Sequence, residues 1–174
     1  PRAYGLDVGW NCTAAVFGAI DREADCLYLY SLHYQGKQEP STHVAGIQGR
    51  GKWMRGVIDP AARGRSQKDG EKLIEIYTDL GLNIIPADNS VESGLFAVHQ
   101  RLAAGKLKVF KSLKEWFAEY RIYRRDENGK IVGDSGWQKK GAWSFAATIP
   151  PEIGTLSPNH GQSAVGNETT FTSD

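Results

Sequence analysis

Short apolar runs separated by Gly, Asn and Asp pattern the first third of the chain, and helical spacing takes over after it. The stretch Tyr4-Gly5-Leu6-Asp7-Val8-Gly9 reads as an apolar strand carrying one acid in its middle. Tyr, Leu and Val suit a half-buried pleated surface. After a tight Gly9-Trp10-Asn11 turn, residues 12–20 read as a second strand and close a hairpin. Asp21-Arg22-Glu23-Ala24 supplies the next turn. Residues 25–34 follow as a third strand, with Leu27, Leu29, Ser31 and His33 alternating against Tyr28, Tyr30, Leu32 and Tyr34. Three such strands in succession form an antiparallel meander. Residues 36–40 break the pattern, residues 41–48 read as a short helix capped by Ser41, and glycines lead into a fourth strand over residues 54–58.

That fourth strand runs into Asp59 and Pro60, and Pro cannot continue a ladder. Acids at the carboxyl ends of strands commonly line the functional edge of an α/β sheet. A small basic loop, Ala61-Ala62-Arg63-Gly64-Arg65, comes next. Residues 66–80 then place Leu73, Ile76, Tyr77 and Leu80 at helical spacing, with Gly81 as the terminator. Residues 82–86 form a fifth strand, and a strand-helix-strand order implies a parallel pair. Ala87-Asp88-Asn89-Ser90 starts a helix to about Ala104 with Val91, Leu95, Val98 and Leu102 on one face. Residues 107–110 read as a short edge strand. Ser112 and Glu115 form a capping box for a helix burying Leu113, Trp116, Phe117, Tyr120 and Tyr123. After a turn at 126–129, residues 130–132 read as a closing strand.

At 174 residues the chain fits one domain with a sizeable core. With 40% hydrophobic and 24% charged residues it has ordinary globular composition. A net charge of +1 leaves any nucleic-acid surface to local clusters. Cys12 and Cys26 both sit in apolar runs, which predicts two reduced, buried thiols rather than a disulfide scaffold. No apolar run approaches the roughly 18 residues that span a bilayer. The expectation is a soluble, intracellular protein without membrane contact. A Pro almost directly on the first strand suggests a domain cut from a longer polypeptide.

An acid on a central strand needs hydrogen bonds, a cation or water within reach, so Asp7 is the first site candidate. The plainer alternative is a strand-end Asp that caps a turn. Three antiparallel strands followed by strands alternating with helices is the order of the ribonuclease H-like fold, an α/β mixed sheet with flanking helices. There the first and fourth strands are neighbours, so Asp7 and Asp59 would meet. Two adjacent carboxylates repel and raise one pKa unless a divalent cation sits between them. Such oxygen-rich sites suit Mg²⁺ or Mn²⁺. Two ions roughly 3.5–4 Å apart can activate water and stabilise the leaving oxygen of a phosphodiester.

The stretches YGLDVGW, GVIDPAARGRS, LNIIPADNSVESGLFAVHQRL and LKEWFAEYRIYRRDENGKIV, in that order, resemble the C-terminal nuclease domain of the large terminase subunit of tailed bacteriophages. The resemblance covers about residues 3–132. It implies a metal-dependent endonuclease that cuts concatemeric double-stranded viral DNA during packaging, with Asp7 bridging two ions and Asp59 holding one. It also implies an upstream ATPase motor domain, a small terminase subunit, a portal protein and the host cell cytoplasm as the place of action. No G-x-x-x-x-G-K-[ST] loop occurs in the chain, so this piece should cut without translocating.

The family places a third acid in an Asp-His-x-x-Asp-Ala-like helix after the equivalent of Gly129-Lys130-Ile131-Val132. The chain instead reads GDSGWQKKGAWSFAATIPPEIG. Asp134, the sole Asp between Ile131 and Asp174, becomes the candidate third ligand, with Glu152 behind it and a simple turn residue as the alternative for Asp134. The nuclease domain is drawn at 1–149. Residues 150–174, rich in Pro, Gly, Ser, Thr and Asn, form a flexible or extended tail. Phosphate contacts fall on Arg63, Arg65, Lys68 and Lys72, and on Arg121, Arg124, Arg125 and Lys130. Solvated helix faces balanced by Glu71 and Glu75 are the alternative. Asp88 reads as a helix cap or a metal-edge acid, and His33, His43, His99 and His160 as structural or exposed. A non-catalytic DNA-binding domain and a junction resolvase remain open. So does an actin-like ATPase fragment, because LDVGWNCTAAVFG also resembles that class's first phosphate loop, although its second loop is missing.

Overall fold

A computed structural model describes residues 1–58, 67–87, 91–122, 124–125 and 131–132. Its strands are β1 (Arg2–Asp7), β2 (Thr13–Asp21), β3 (Cys26–Gln35), β4 (Arg55–Ile58), β5 (Ile84–Pro86), β6 (Leu107–Val109), β7 (Arg124–Arg125) and β8 (Ile131–Val132). Its helices are α1 (Pro40–Gln48), α2 (Gln67–Asp79), α3 (Val91–Ala103) and α4 (Lys114–Ile122). Six strands form one mixed sheet in the order β5-β4-β1-β2-β3-β6. The β1–β2–β3 meander is antiparallel. β4 joins β1 in parallel, β5 joins β4 in parallel, and β6 closes the far edge parallel to β3. This is the ribonuclease H-like arrangement expected from the order of elements.

Alternation along the strands divides the core in two. Ala14, Val16, Leu27 and Leu29 face Val98 of α3 and Leu113 and Trp116 beside and in α4. Tyr4, Leu6, Ala15, Phe17 and Ile58 face Val44 and Ile47 of α1 and Tyr77 of α2. Each fully buried Leu or Phe contributes roughly 1.5–3 kcal/mol, so packing on both faces holds the helices to the sheet. Tyr4 pairs with Gly56 across β1 and β4, and a Cβ on Gly56 would come within 2.2 Å of the Tyr4 ring. The ring therefore lies across a strand that only glycine lets it cross.

β3 departs from simple alternation. Its register with β2 shifts between Phe17 and Gly18, so that Ser31 pairs with Phe17 while Leu29 pairs with Gly18 and Tyr30 is the extra residue. One extra residue turns every following side chain to the opposite face. Leu27 and Leu29 face α3 and α4, but Leu32 joins them and His33 turns to the α1 side instead of continuing their set. Tyr30, at the bulge, packs on the α1 side and its hydroxyl reaches Met54 Sδ at 3.4 Å.

Several expected details change. α1 begins at Pro40 with Glu39 as its N-cap, so Ser41 is inside the helix and not its cap. The fixed φ of Pro at the first helical position starts the helix one residue earlier. α2 buries Tyr77 and half-buries Leu73 and Ile74, leaving Ile76 and Leu80 exposed; Gly81, at φ 95°, ends it as expected. Leu113 and Trp116 are buried, whereas Tyr120 is exposed and stacked on Trp116 at 5.2 Å. β8 does not close the main sheet but pairs with β7 as a separate hairpin. Cys26 is buried, whereas Cys12 is only half-buried.

Candidate active site

Asp7 is the last residue of β1, at the carboxyl end, and not mid-strand as the sequence suggested. The strand starts earlier than expected, at Arg2, and Gly9 begins the turn, where its carbonyl accepts a hydrogen bond from Thr13 Oγ1 at 3.1 Å. Asp7 is half-buried there, and partial contact with water lowers the cost of holding a charge at the strand end. Asp7 pairs with Ala14 of β2, and Ala14 pairs with Tyr34 of β3. Directly paired residues share a face, so Asp7, Ala14 and Tyr34 form one row on the α3–α4 side. Ala14 itself is fully buried, part of the core beneath that row.

On the other flank, β4 runs parallel to β1 with Leu6 beside Ile58. Asp59 is the next residue in the chain and lies outside the described residues. So do Asp134, Arg63, Arg65, Lys130, Asp88, Glu152, Tyr123 and His160. Lys68 and Lys72 fall within α2 and Arg124 and Arg125 within β7, but their side chains are outside what the structure describes. Arg121 is exposed in the last turn of α4. Among the described residues no three acids, histidines or cysteines gather as a metal-binding group. Asp7 is the one predicted ligand whose position is described.

Two features escaped the sequence. Tyr34 donates from its hydroxyl to Glu119 Oε1 of α4 at 3.4 Å, on the same face as Asp7. Burial and neighbouring Cys12 and Glu119 push the Tyr34 hydroxyl up to about 12, and burial pushes the Glu119 carboxyl up as well. The second feature is a buried histidine pair, with His33 Nε2 and His43 Nδ1 3.0 Å apart. Burial first, then His43 and Arg50, lower His33 from 6.5 to about 4. Arg50 closes over the pair's neighbourhood by donating to Ser31 Oγ at 2.9 Å, to the Leu32 carbonyl at 2.8 Å and to the Gly46 carbonyl. Its guanidinium also sits 5.3 Å from the Phe17 ring centre. The histidines therefore pin α1 to β3 and belong to the core and not to the site. His99 is exposed. No spacing rule could have found a pair brought together by a bulge and a helix.

No protein-family profile matches the chain. Over 137 residues it is 32% identical to the large terminase subunit of Salmonella phage P22, an alignment covering 72% of this chain and 27% of the relative. The chain thus spans about a quarter of that relative's length. It superposes on the solved nuclease domain of the P22 large terminase with a TM-score of 0.77 and 25% identity, covering 86% of this chain and 81% of that one. The large-terminase nuclease domain of phage SPP1, solved with bound Mn, shares the fold at a TM-score of 0.61 and 12% identity, over 87% of this chain and 86% of that one.

Proposed function

We propose, from the premise that the chain belongs with the nuclease domains of phage large terminase subunits, that it is a divalent-metal-dependent endonuclease acting on double-stranded viral DNA. The observation that carries the proposal is the parallel register of β1 and β4. Leu6 lies beside Ile58, and the next residues in the chain are Asp7 and Asp59. Neighbouring strands are about 4.8 Å apart, so carboxylates one step further along both strands would be close enough to share a cation. An all-oxygen donor set suits Mg²⁺ or Mn²⁺ better than a soft metal. Such ions, two of them in the proposed site, supply Lewis-acid activation of water and charge at the leaving oxygen.

The chain's own residues then have separate tasks. Asp7 and Asp59 hold cations at the carboxyl edge of the sheet, with Asp134 as the proposed third ligand. Arg63, Arg65, Lys68, Lys72, Arg124 and Lys130 neutralise phosphates and fix the duplex without reading sequence. The biological substrate is concatemeric DNA, cut as genomes enter procapsids in the host cytoplasm. An ATPase motor domain, a small terminase subunit and a portal protein are the proposed partners, and residues 150–174 an arm outside the nuclease domain proper. Among the described residues no helix is long and apolar enough to cross a membrane.

Plasmid nicking and linearisation with Mn²⁺, Mg²⁺ or EDTA test the proposal, alongside Asp7→Ala and Asp59→Asn. Cutting should require metal and fall by orders of magnitude in both variants while the fold is retained. Metal-dependent cutting that survives both substitutions would remove this edge from the chemistry. Duplex binding without cutting in any metal would favour a non-catalytic DNA-binding domain.

A further inference from the structure

Three residues beyond Asp7, the tip of the β1–β2 turn presents Trp10 with 68% of its surface exposed. A large indole left in water at a turn tip gains nothing for the core, and this turn is not loose. Thr13 Oγ1 holds the Gly9 carbonyl, and the Trp10 carbonyl accepts the Lys37 N–H at 2.8 Å. The strap after β3 fits so closely that a Cβ on Gly36 would collide with the Asn11 carbonyl at 1.9 Å. Lys37 itself is exposed and adopts φ 55°, a conformation that non-glycine residues take at some cost. An aromatic ring and an ammonium group are thus carried on two backbones bonded to each other, at the carboxyl end of β1.

Resting on the nuclease reading above, we infer that Trp10 and Lys37 form a DNA-contact pair beside the cutting edge, Trp10 packing on a nucleotide and Lys37 on a flanking phosphate. Three chain steps keep the Trp10 Cα within about 11 Å of that of Asp7. That is a reach of about three base pairs at 3.4 Å per step, so the contact falls next to the phosphate to be cut. Tryptophan offers a flat apolar surface to a deoxyribose along the duplex, and lysine a point charge to the backbone. Neither selects a sequence, and both resist sliding of the duplex across the edge.

The test measures duplex binding without metal and KM and kcat for metal-activated cutting in the wild type, Trp10→Ala, Trp10→Phe and Lys37→Gln. Trp10→Ala should weaken binding and raise KM roughly tenfold with kcat little changed. Trp10→Phe should recover most of the loss while abolishing much of the DNA-induced quenching of tryptophan fluorescence. Lys37→Gln should lower the slope of log affinity against log salt by about 1. Wild-type affinity, KM and quenching in the Trp10 variants would overturn the inference even if Asp7→Ala abolished cutting. If the wild type binds duplex but never cuts, the nuclease reading fails, and the binding and quenching measurements still decide whether Trp10 touches DNA.

Discussion

Acid should unlock α1 from the sheet through His33. The ring is 4% exposed and faces His43 and Arg50, so a proton on it has no water to spread its charge and a guanidinium nearby. In the unfolded chain the same imidazole titrates at its ordinary value of 6.5, against about 4 when folded. The unfolded state therefore takes up the proton first. Stability is intact above pH 6.5 and is lost as pH falls from there through 4. At 1.36 kcal/mol per pH unit the full loss is about 3 kcal/mol, of which about 2 kcal/mol is gone by pH 5. Burial also lowers His43, so the pair reinforces the trend. Glu119, whose carboxyl is raised by burial, works in the opposite direction and would mask part of the effect.

A non-titrating comparison isolates the contribution. Gln at position 33 can still hydrogen-bond His43 Nδ1 and cannot take a proton, so Glu119 and the surface acids cancel between the two proteins. Urea unfolding followed by fluorescence at several pH values between 7.5 and 4.5 gives the stability of each. The wild type should lose about 2 kcal/mol more than His33→Gln between about pH 7 and pH 5. Parallel loss in the two proteins would show that His33 is not held neutral by its surroundings.

Two further substitutions probe the β1–β4 seam. Gly56→Ala should cost about 1–3 kcal/mol or more, because the Tyr4 ring is buried on all sides and cannot yield to a Cβ 2.2 Å away; thermal melts read the loss, and unchanged stability would mean the ring can swing clear. Tyr4→Phe should leave stability unchanged or raise it, since the buried Tyr4 hydroxyl has no hydrogen-bond partner among the described residues; a drop beyond about 1 kcal/mol in the same melts would reveal a partner.

The order and type of the elements were legible because short apolar runs bounded by turn residues mark the strands and apolar stripes at helical spacing mark the helices. What misled was local. The set Leu27, Leu29, Ser31, His33 alternates perfectly in sequence, yet the bulge at Tyr30 sends its two halves to opposite faces. A bulge costs one residue and leaves the composition of a strand untouched, so periodicity cannot show it. The β7–β8 hairpin misled for a related reason: a short apolar strand does not state which sheet it joins, and β6 already occupies the edge beside β3.

Asp7 stood out as a candidate because an acid inside an apolar run has to be justified by chemistry. Its neighbourhood was legible only through the order of elements, since no residue in β1 announces β4 as its partner. The Gly9-Trp10-Asn11 turn was legible too, but the contact of Tyr34 with Glu119 was not, because it reaches the same end of the sheet through register and not through spacing. The seam that sets this register is itself held by Tyr4 lying across Gly56 two pairs below Leu6 and Ile58. Core packing and the register of the two strands that lead into Asp7 and Asp59 are therefore one constraint. A substitution that spreads β1 from β4 should reduce cutting beyond what its loss of stability explains, because the proposed ligands follow directly in the chain on Leu6 and Ile58, whose pairing fixes the spacing of the two strands.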